Sequence, residues 1–306
     1  MPFADSKYLP IVALVTAVFL WASSFIVLKI ALAVYDPMVV IFGRMMLASL
    51  CIIFFLPSIR KQKIQKGDFK LLVFMAFCEP CMYFIFESHA MLYTSASEAG
   101  MIVAALPLLM AVSARFILGE KLSRKTLIGF ILAVTGGIWL SIYSSSTESS
   151  PNPALGNFLE FLAMCCCVGY MTTLKKMTSR YSPVFITAFQ AIMGAIFYLP
   201  LLALPTTVLP KEFHPAAVFS IVYLGIGITL GAYGLYNYGM SRLPASQTSA
   251  YVNLIPVFTL IMGWTILDEK LNTIQLLAAG LVMFGVILSQ DRRSHKKTKL
   301  TVTPIP

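Results

Sequence analysis

Apolar residues in this chain fall in long unbroken runs, neither alternating as in half-buried strands nor confined to one helical stripe. A helix needs roughly 20 residues to cross about 30 Å of hydrocarbon. Ten runs are of about that length, near residues 8–34, 38–57, 69–92, 95–117, 126–143, 155–174, 184–205, 215–241, 244–267 and 272–289. The connections are short, and many open with turn residues: Asp36-Pro37, Lys66-Gly67-Asp68, Pro151-Asn152-Pro153 and Ser182-Pro183. The pattern predicts an all-α polytopic membrane protein with ten transmembrane helices; a membrane barrel would show alternating ten-residue strands instead. Residues 144–153 form a hydrophilic low-complexity linker, and the tail from Asp291 onward, basic and ending in prolines, reads as disordered.

Composition agrees. Of 306 residues, 58% are apolar and 12% charged, and the mean hydropathy is +0.82. A soluble domain would carry about twice that charge, and so much apolar surface could not be hidden inside globules of this size. Fibrous, disordered and small secreted scaffolds are excluded on the same grounds. With the N-terminus in the cytoplasm, all of the 23 Lys and Arg residues except Lys29, Arg44, Lys211 and Lys270 fall on the inner side. That asymmetry satisfies the positive-inside rule and places both termini in the cytoplasm. The net charge of +10 is thus a matter of topology and anionic lipid, and gives no reason to expect nucleic acid. Ala31-Leu32-Ala33 looks like a cleavage site, but the preceding apolar run is too long and Lys29 interrupts it, so the first span is expected to be retained. All six cysteines lie inside spans, where structural disulfides are not expected, and the three histidines are scattered, so no metal site or cofactor is expected.

The chain repeats itself. Gly119-Glu120-Lys121-Leu122 matches Asp268-Glu269-Lys270-Leu271 at an offset of 149, which also pairs Pro107 with Pro256, Ala96-Ser97 with Ala245-Ser246, Met91 with Met240 and Gly136 with Gly285. Earlier in each half the offset is 146, pairing Pro37 with Pro183 and Leu28-Lys29 with Leu174-Lys175. The organisation read from this is a first five-helix unit over 1–143, a polar periplasmic linker over 144–154, a second unit over 155–289 and a basic tail over 290–306. Five is odd, so the second unit enters the membrane upside down. Such inverted repeats build alternating-access transporters, with substrate held between the halves near the midplane.

Trp21-Ala22-Ser23-Ser24-Phe25, Arg44, and the Ala-Ser, Pro and Glu-Lys-Leu pattern of spans four and nine resemble the EamA-type ten-helix transporters of the drug/metabolite transporter superfamily. The resemblance runs from about Leu9 to Ser289. It implies a bacterial inner-membrane carrier, often an exporter of amino acids, metabolites or toxic compounds, and no enzyme. The chain departs from the pattern at Cys165-Cys166-Cys167, which stands where the first copy has its Trp motif, and in its acidic third span.

Ionisable residues at membrane depth are costly and are functional candidates by default. Glu160 follows Asn157 by three, and Glu98 follows Ser95 by three; both read as interfacial helix caps, with Glu98 opening toward the cavity. Lys29 can snorkel outward. Arg44, Glu87 and Glu98 lie at one level with Lys29, a set suited to a gate or ion-pair network. Glu79 is near the bilayer centre, and Pro80 after it removes a backbone donor. At 100° per residue, Tyr83 and Glu87 share its face. A carboxyl so placed suits proton exchange or a cationic substrate. Thr229, Tyr233 and Asn237 form a polar stripe on span eight, and Ser246, Ser249 and Asn253 form one on span nine; Gly227 and Gly231 would allow close packing. Tyr236 and Tyr238 are assigned to interfacial belts. No hydrolase, metalloprotease or nucleotide-binding motif occurs.

The expected function is a secondary carrier of a small organic metabolite, with Glu79 as proton-coupling centre. Trp21, Ser24, Glu79, Tyr83, Glu87, Tyr233, Asn237, Ser249 and Asn253 are the expected substrate-binding residues. An uncoupled facilitator and a lipid-handling scaffold stay open as alternatives, as do monomer and homodimer.

Overall fold

Turn signals in the sequence become helix caps. Asp36, Ser182 and Asn152 each accept a hydrogen bond from a first-turn amide, and each is followed by a proline at the first helical position. Gly67, which precedes another helix start, takes φ 93°, a left-handed conformation that glycine adopts without strain. Asn272 and Gln275 exchange side-chain-to-amide hydrogen bonds at 2.8 Å each, a reciprocal capping box.

The computed structural model describes residues 8–55, 57, 59, 62–118, 124–144, 146–243, 248 and 251–289. The tail over 290–306, the Gly119-Glu120-Lys121-Leu122 motif, Ala245, Ser246 and Ser249 lie outside them. The described residues form α1 (Leu9–Leu32), α2 (Pro37–Cys51), α3 (Asp68–Tyr93), α4 (Ala96–Val103 and Leu106–Leu118) and α5 (Arg124–Tyr143). The second set is α6 (Pro153–Met177), α7 (Pro183–Tyr198), α8 (Pro215–Arg242), α9 (Ile255–Ile266) and α10 (Thr273–Ser289). Eight of these segments are long and apolar enough to cross a membrane, and α9 and α10 are shorter apolar helices.

Each helix of the first set packs against one of the second: α1 on α8, α2 on α7, α3 on α6, α4 on α9 and α5 on α10. That is the pairing two inverted copies produce. Its symmetry reaches single atoms. Lys29 Nζ donates to the carbonyls of Met91 (2.8 Å) and Thr94 (2.5 Å) at the end of α3. Lys175 Nζ donates to Met240 (2.7 Å) and Leu243 (2.8 Å) at the end of α8. Both lysines cap the exposed carbonyls of a helix C-terminus, where a cation is favoured. Lys29 Nζ also donates to Ser149 O in the exposed loop at 2.5 Å, so its head group does reach outward along its span, held there by carbonyls.

Backbones touch where the repeat places glycine. A methyl at Gly136 would lie 2.9 Å from Ala278 O and Val282 N of α10, and one at Gly285 would lie 2.6 Å from Gly129 O of α5. Gly225, not Gly227 or Gly231, is the glycine of α8 that meets the backbone of another helix, 2.9 Å from Arg44 O by the same measure. Gly227 and Gly231 meet only atoms of their own helix.

Candidate functional site

Helix α3 is broken at Glu79, which takes extended dihedrals (φ −150°, ψ 116°) between the helical pieces Asp68–Ala76 and Tyr83–Tyr93. The following Pro80 explains why regular winding stops here. A break at this depth leaves carbonyls without intrahelical donors, and lipid offers none. Helix α7 supplies them: Gln190 Nε2 donates to Glu79 O at 3.0 Å, and the Tyr198 hydroxyl donates to Pro80 O at 3.1 Å and to Cys81 O. The second half is irregular at the matching depth. Residues Tyr223–Ala232 of α8 wind in wide π-type turns, and the Thr229 hydroxyl donates back five residues to Leu224 O at 2.9 Å.

These two irregular segments face a central cavity of about 40 Å³. Trp21, Ser24, Glu79, Tyr83, Glu87 and Tyr233 line it, as the sequence suggested, together with Arg44. Glu79 is 3% exposed. Its Oε1 accepts from the Tyr233 hydroxyl, while its Oε2 has no hydrogen-bond partner among the described residues. The Cys167 thiol, a weak donor, lies beside the same carboxylate. Tyr83 shares the site with Glu87, donating to Glu87 Oε1 at 3.0 Å. Arg44 Nη1 lies 4.0 Å from Glu87 Oε2, Arg44 Nε donates to Thr229 Oγ1 at 3.3 Å, and the guanidinium stacks 3.9 Å from the Phe84 ring centre. The buried cation is thus met by Glu87, Thr229 and Phe84, whereas one oxygen of Glu79 is unmatched. Trp21 Nε1 is a second buried polar atom on this cavity with no hydrogen-bond partner among the described residues.

Several expected residues lie elsewhere. Asn237 is fully buried behind Tyr170 and Thr187: Tyr170 donates to its Oδ1 at 3.0 Å and its Nδ2 donates to Thr187 at 2.9 Å. Asn253 is half-buried and does not border the cavity, although the adjacent Val252 does. Ser249 lies outside the described residues. Glu98 does not join Arg44 and Glu87. Its carboxylate accepts from Ser144 (2.6 Å), Gln275 (2.8 Å) and Thr94 (2.8 Å) near the ends of α3 and α5, and takes no part in capping α4, whose first amides go to Glu269 and Ser95. Glu160 is no interfacial cap. Helix α6 begins at Pro153, capped by Asn152, which carries Glu160 into a fully buried position in its third turn. Tyr236, assigned to an interfacial belt, is also fully buried, with its ring 4.6 Å from that of Trp21.

Further lining residues, among them Phe25, Val103, Leu106, Cys167, Met171, Ile228, Val252 and Ile255, were missed. The repeat itself carries the signal for them. At offset 146, Trp21 maps to Cys167 and Phe25 to Met171; at offset 149, Glu79 maps to Ile228, Phe84 to Tyr233, Val103 to Val252 and Leu106 to Ile255. Reflecting the candidates Trp21 and Glu79 across the repeat finds Cys167 and Ile228 on the opposite wall, whereas Tyr170, Ala232 and Tyr236, the mates of Ser24, Tyr83 and Glu87, do not border the cavity. The reflection also shows an imbalance. Arg44, Glu79 and Glu87 all belong to the first half, and their mates Gln190, Ile228 and Tyr236 are uncharged. No group of three or more His, Cys, Asp or Glu among the described residues could hold a metal ion.

Comparison with known proteins agrees with this architecture. The EamA-like transporter family matches the chain twice, over residues 9–142 and 154–290. The uncharacterized transporter YcxC of Bacillus subtilis (strain 168) is 30% identical over 293 residues, 92% of each chain. A probable terminal-alkyne amino-acid exporter of Streptantibioticus cattleyicolor is 23% identical over 95% of this chain and 96% of its own. A solved crystal structure superposes with a TM-score of 0.66 at 17% identity, covering 95% of this chain and 100% of the other, a likeness of fold. The chain, a multi-pass membrane protein, belongs to the EamA-like transporter family, within the drug/metabolite transporter superfamily.

Proposed function

We propose that the protein is a secondary transporter that exports a small organic metabolite, such as an amino acid, an amine or a toxic compound, by alternating access around the central cavity. Glu79 is its proton-exchanging group, and the membrane is the bacterial inner membrane with both termini cytoplasmic. One observation carries this reading: a buried carboxylate at a broken helix, between two inverted halves, presents an unmatched oxygen to the cavity. An ammonium group suits that oxygen, and an acceptor on the same guest suits the unpaired indole N–H of Trp21. The amino-acid exporter among the relatives points to the same substrate class.

The test begins with a thermal-shift screen of the purified protein against amino acids, amines and nucleosides. The stabilising compound is then followed in proteoliposomes with and without a pH gradient. The gradient should accelerate transport by the wild type and leave Glu79→Gln unaffected. Wild-type rates that ignore the gradient would remove the coupling role and leave an uncoupled facilitator.

A further inference from the structure

Glu160 is the buried ionisable group that the proposed mechanism leaves unused. It is fully buried on α6, and neither carboxyl oxygen has a hydrogen-bond partner among the described residues. It does not line the central cavity. A carboxylate with neither a hydrogen bond nor a cation is costly to bury. Its neighbours follow from how α6 lies along α3. A methyl at Gly156 would lie 2.6 Å from Thr94 and 2.9 Å from Ala90 O, and one at Gly169 would lie 2.7 Å from Cys78 Sγ. The helices are therefore antiparallel, and interpolating between those points sets Cys167 level with Glu79, Met164 with Tyr83 and Glu160 with Glu87.

The same ladder continues beyond Glu160 to the membrane face opposite the N-terminus. One turn on, Asn157 accepts from Thr94 at 2.8 Å and donates to Glu98 at 3.5 Å. Glu98 accepts from the half-buried Ser144 at 2.6 Å. By level along the packed helices, the charged or titratable groups around Glu160 are Glu87 and Tyr83 from α3, Cys167 two turns along α6 itself and, one turn away, Glu98 from α4, with Arg44 of α2 paired behind Glu87.

We propose that Glu160 is a proton-relay residue, carrying protons between the outer surface and the cavity carboxyls Glu87 and Glu79. Its carboxylic acid gives a proton to the Glu87 carboxylate, Glu87 passes that proton on to Glu79, and Glu160 is reprotonated from outer water past Glu98. Chains of buried carboxyls serve this purpose in other transporters. The assignment rests on Glu79 exchanging protons and on the orientation proposed above.

The test needs no substrate. Dicyclohexylcarbodiimide, an apolar reagent, adds to the protonated form of a buried carboxyl and leaves a stable acylurea that mass spectrometry localises. In right-side-out membrane vesicles buffered internally at about pH 8, lowering the outer pH from about 8 to 6 raises the proton concentration about a hundredfold. Labelling of Glu79 should rise severalfold in the wild type and in Glu160→Asp, and should stay flat in Glu160→Gln. With about pH 6 on both sides, Glu160→Gln should label at Glu79 as the wild type does, which separates a relay from a role in folding. A full outer-pH response in Glu160→Gln overturns the relay and spares the role of Glu79. A wild type whose Glu79 labelling follows the pH of neither side overturns both.

Discussion

The carboxylate of Glu269, in the segment between α9 and α10, reaches across to the first half and caps α4. It accepts from the amides of Ala96 (2.9 Å) and Ser97 (2.8 Å) and from the Ser97 hydroxyl (2.6 Å). Ser95 Oγ takes the next amide, that of Glu98, at 3.1 Å. The first three amide donors of α4 are thus satisfied by side chains, two of them from the opposite half. Replacing Glu269 by Ala removes a cap contribution of about 0.5–2 kcal/mol and a carboxylate–dipole contribution of about 0.3–1 kcal/mol. Glu269 is only half-buried, so solvent screening keeps the sum near 1–3 kcal/mol, or about 5–150-fold in an opening equilibrium. Hydrogen–deuterium exchange of the peptide covering the start of α4 measures this directly. Exchange should accelerate by that factor in Glu269→Ala and by less in Glu269→Gln, which keeps one acceptor oxygen, while the α5–α10 pair is unaffected. Wild-type exchange at α4 in Glu269→Ala would refute the reasoning, since the half-crossing cap would then hold nothing.

Two further outcomes follow from the same geometry. Arg44→Lys keeps the charge but loses the Nε bond to Thr229 and the stacking over Phe84, so it should transport at a small fraction of the wild-type rate in proteoliposomes; an unchanged rate would mean that the charge alone matters. Gly136→Ala forces a methyl against the α10 backbone and should lower stability by about 1–3 kcal/mol, whereas Gly280→Ala, with open space around its Cβ, should be neutral or gain up to about 1 kcal/mol; thermal melts in detergent rank the two, and the reverse order would contradict the α5–α10 packing.

The helices were legible because hydrocarbon thickness imposes a length and an apolar character that no other fold class shares. Their starts were legible where a capping residue precedes proline, as at Asp36-Pro37, Asn152-Pro153 and Ser182-Pro183. Glu79, Tyr83 and Glu87 do border one cavity, but not because a continuous helix presents them on one face: the backbone breaks at Glu79, so the arc argument does not account for their placement. Glu160 was misplaced because Asn157 imitates a cap while the true cap, Asn152, lies five residues earlier. Asn237 looked like a lining residue on helical periodicity alone. The wide turns of α8 upstream of it change the facing of every later position, and no residue type announces such turns. Apolar lining residues such as Val103 and Val252 carry no chemical signature, and only their equivalence across the duplication distinguishes them from packing.

The two lysine caps have a mechanical consequence. Lys29 fastens the end of α1 to the end of α3, and Lys175 fastens α6 to α8 in the same manner. The distal part of each third helix is thereby riveted to the first helix of its own half and travels with it. Bending must then concentrate where the third helices lose regular winding, which in the first half is the peptide unit of Glu79 itself. The carboxyl proposed to meet the guest is mounted on the hinge pin, so under that proposal whatever neutralises its charge acts on the joint directly and needs no lever to reach it.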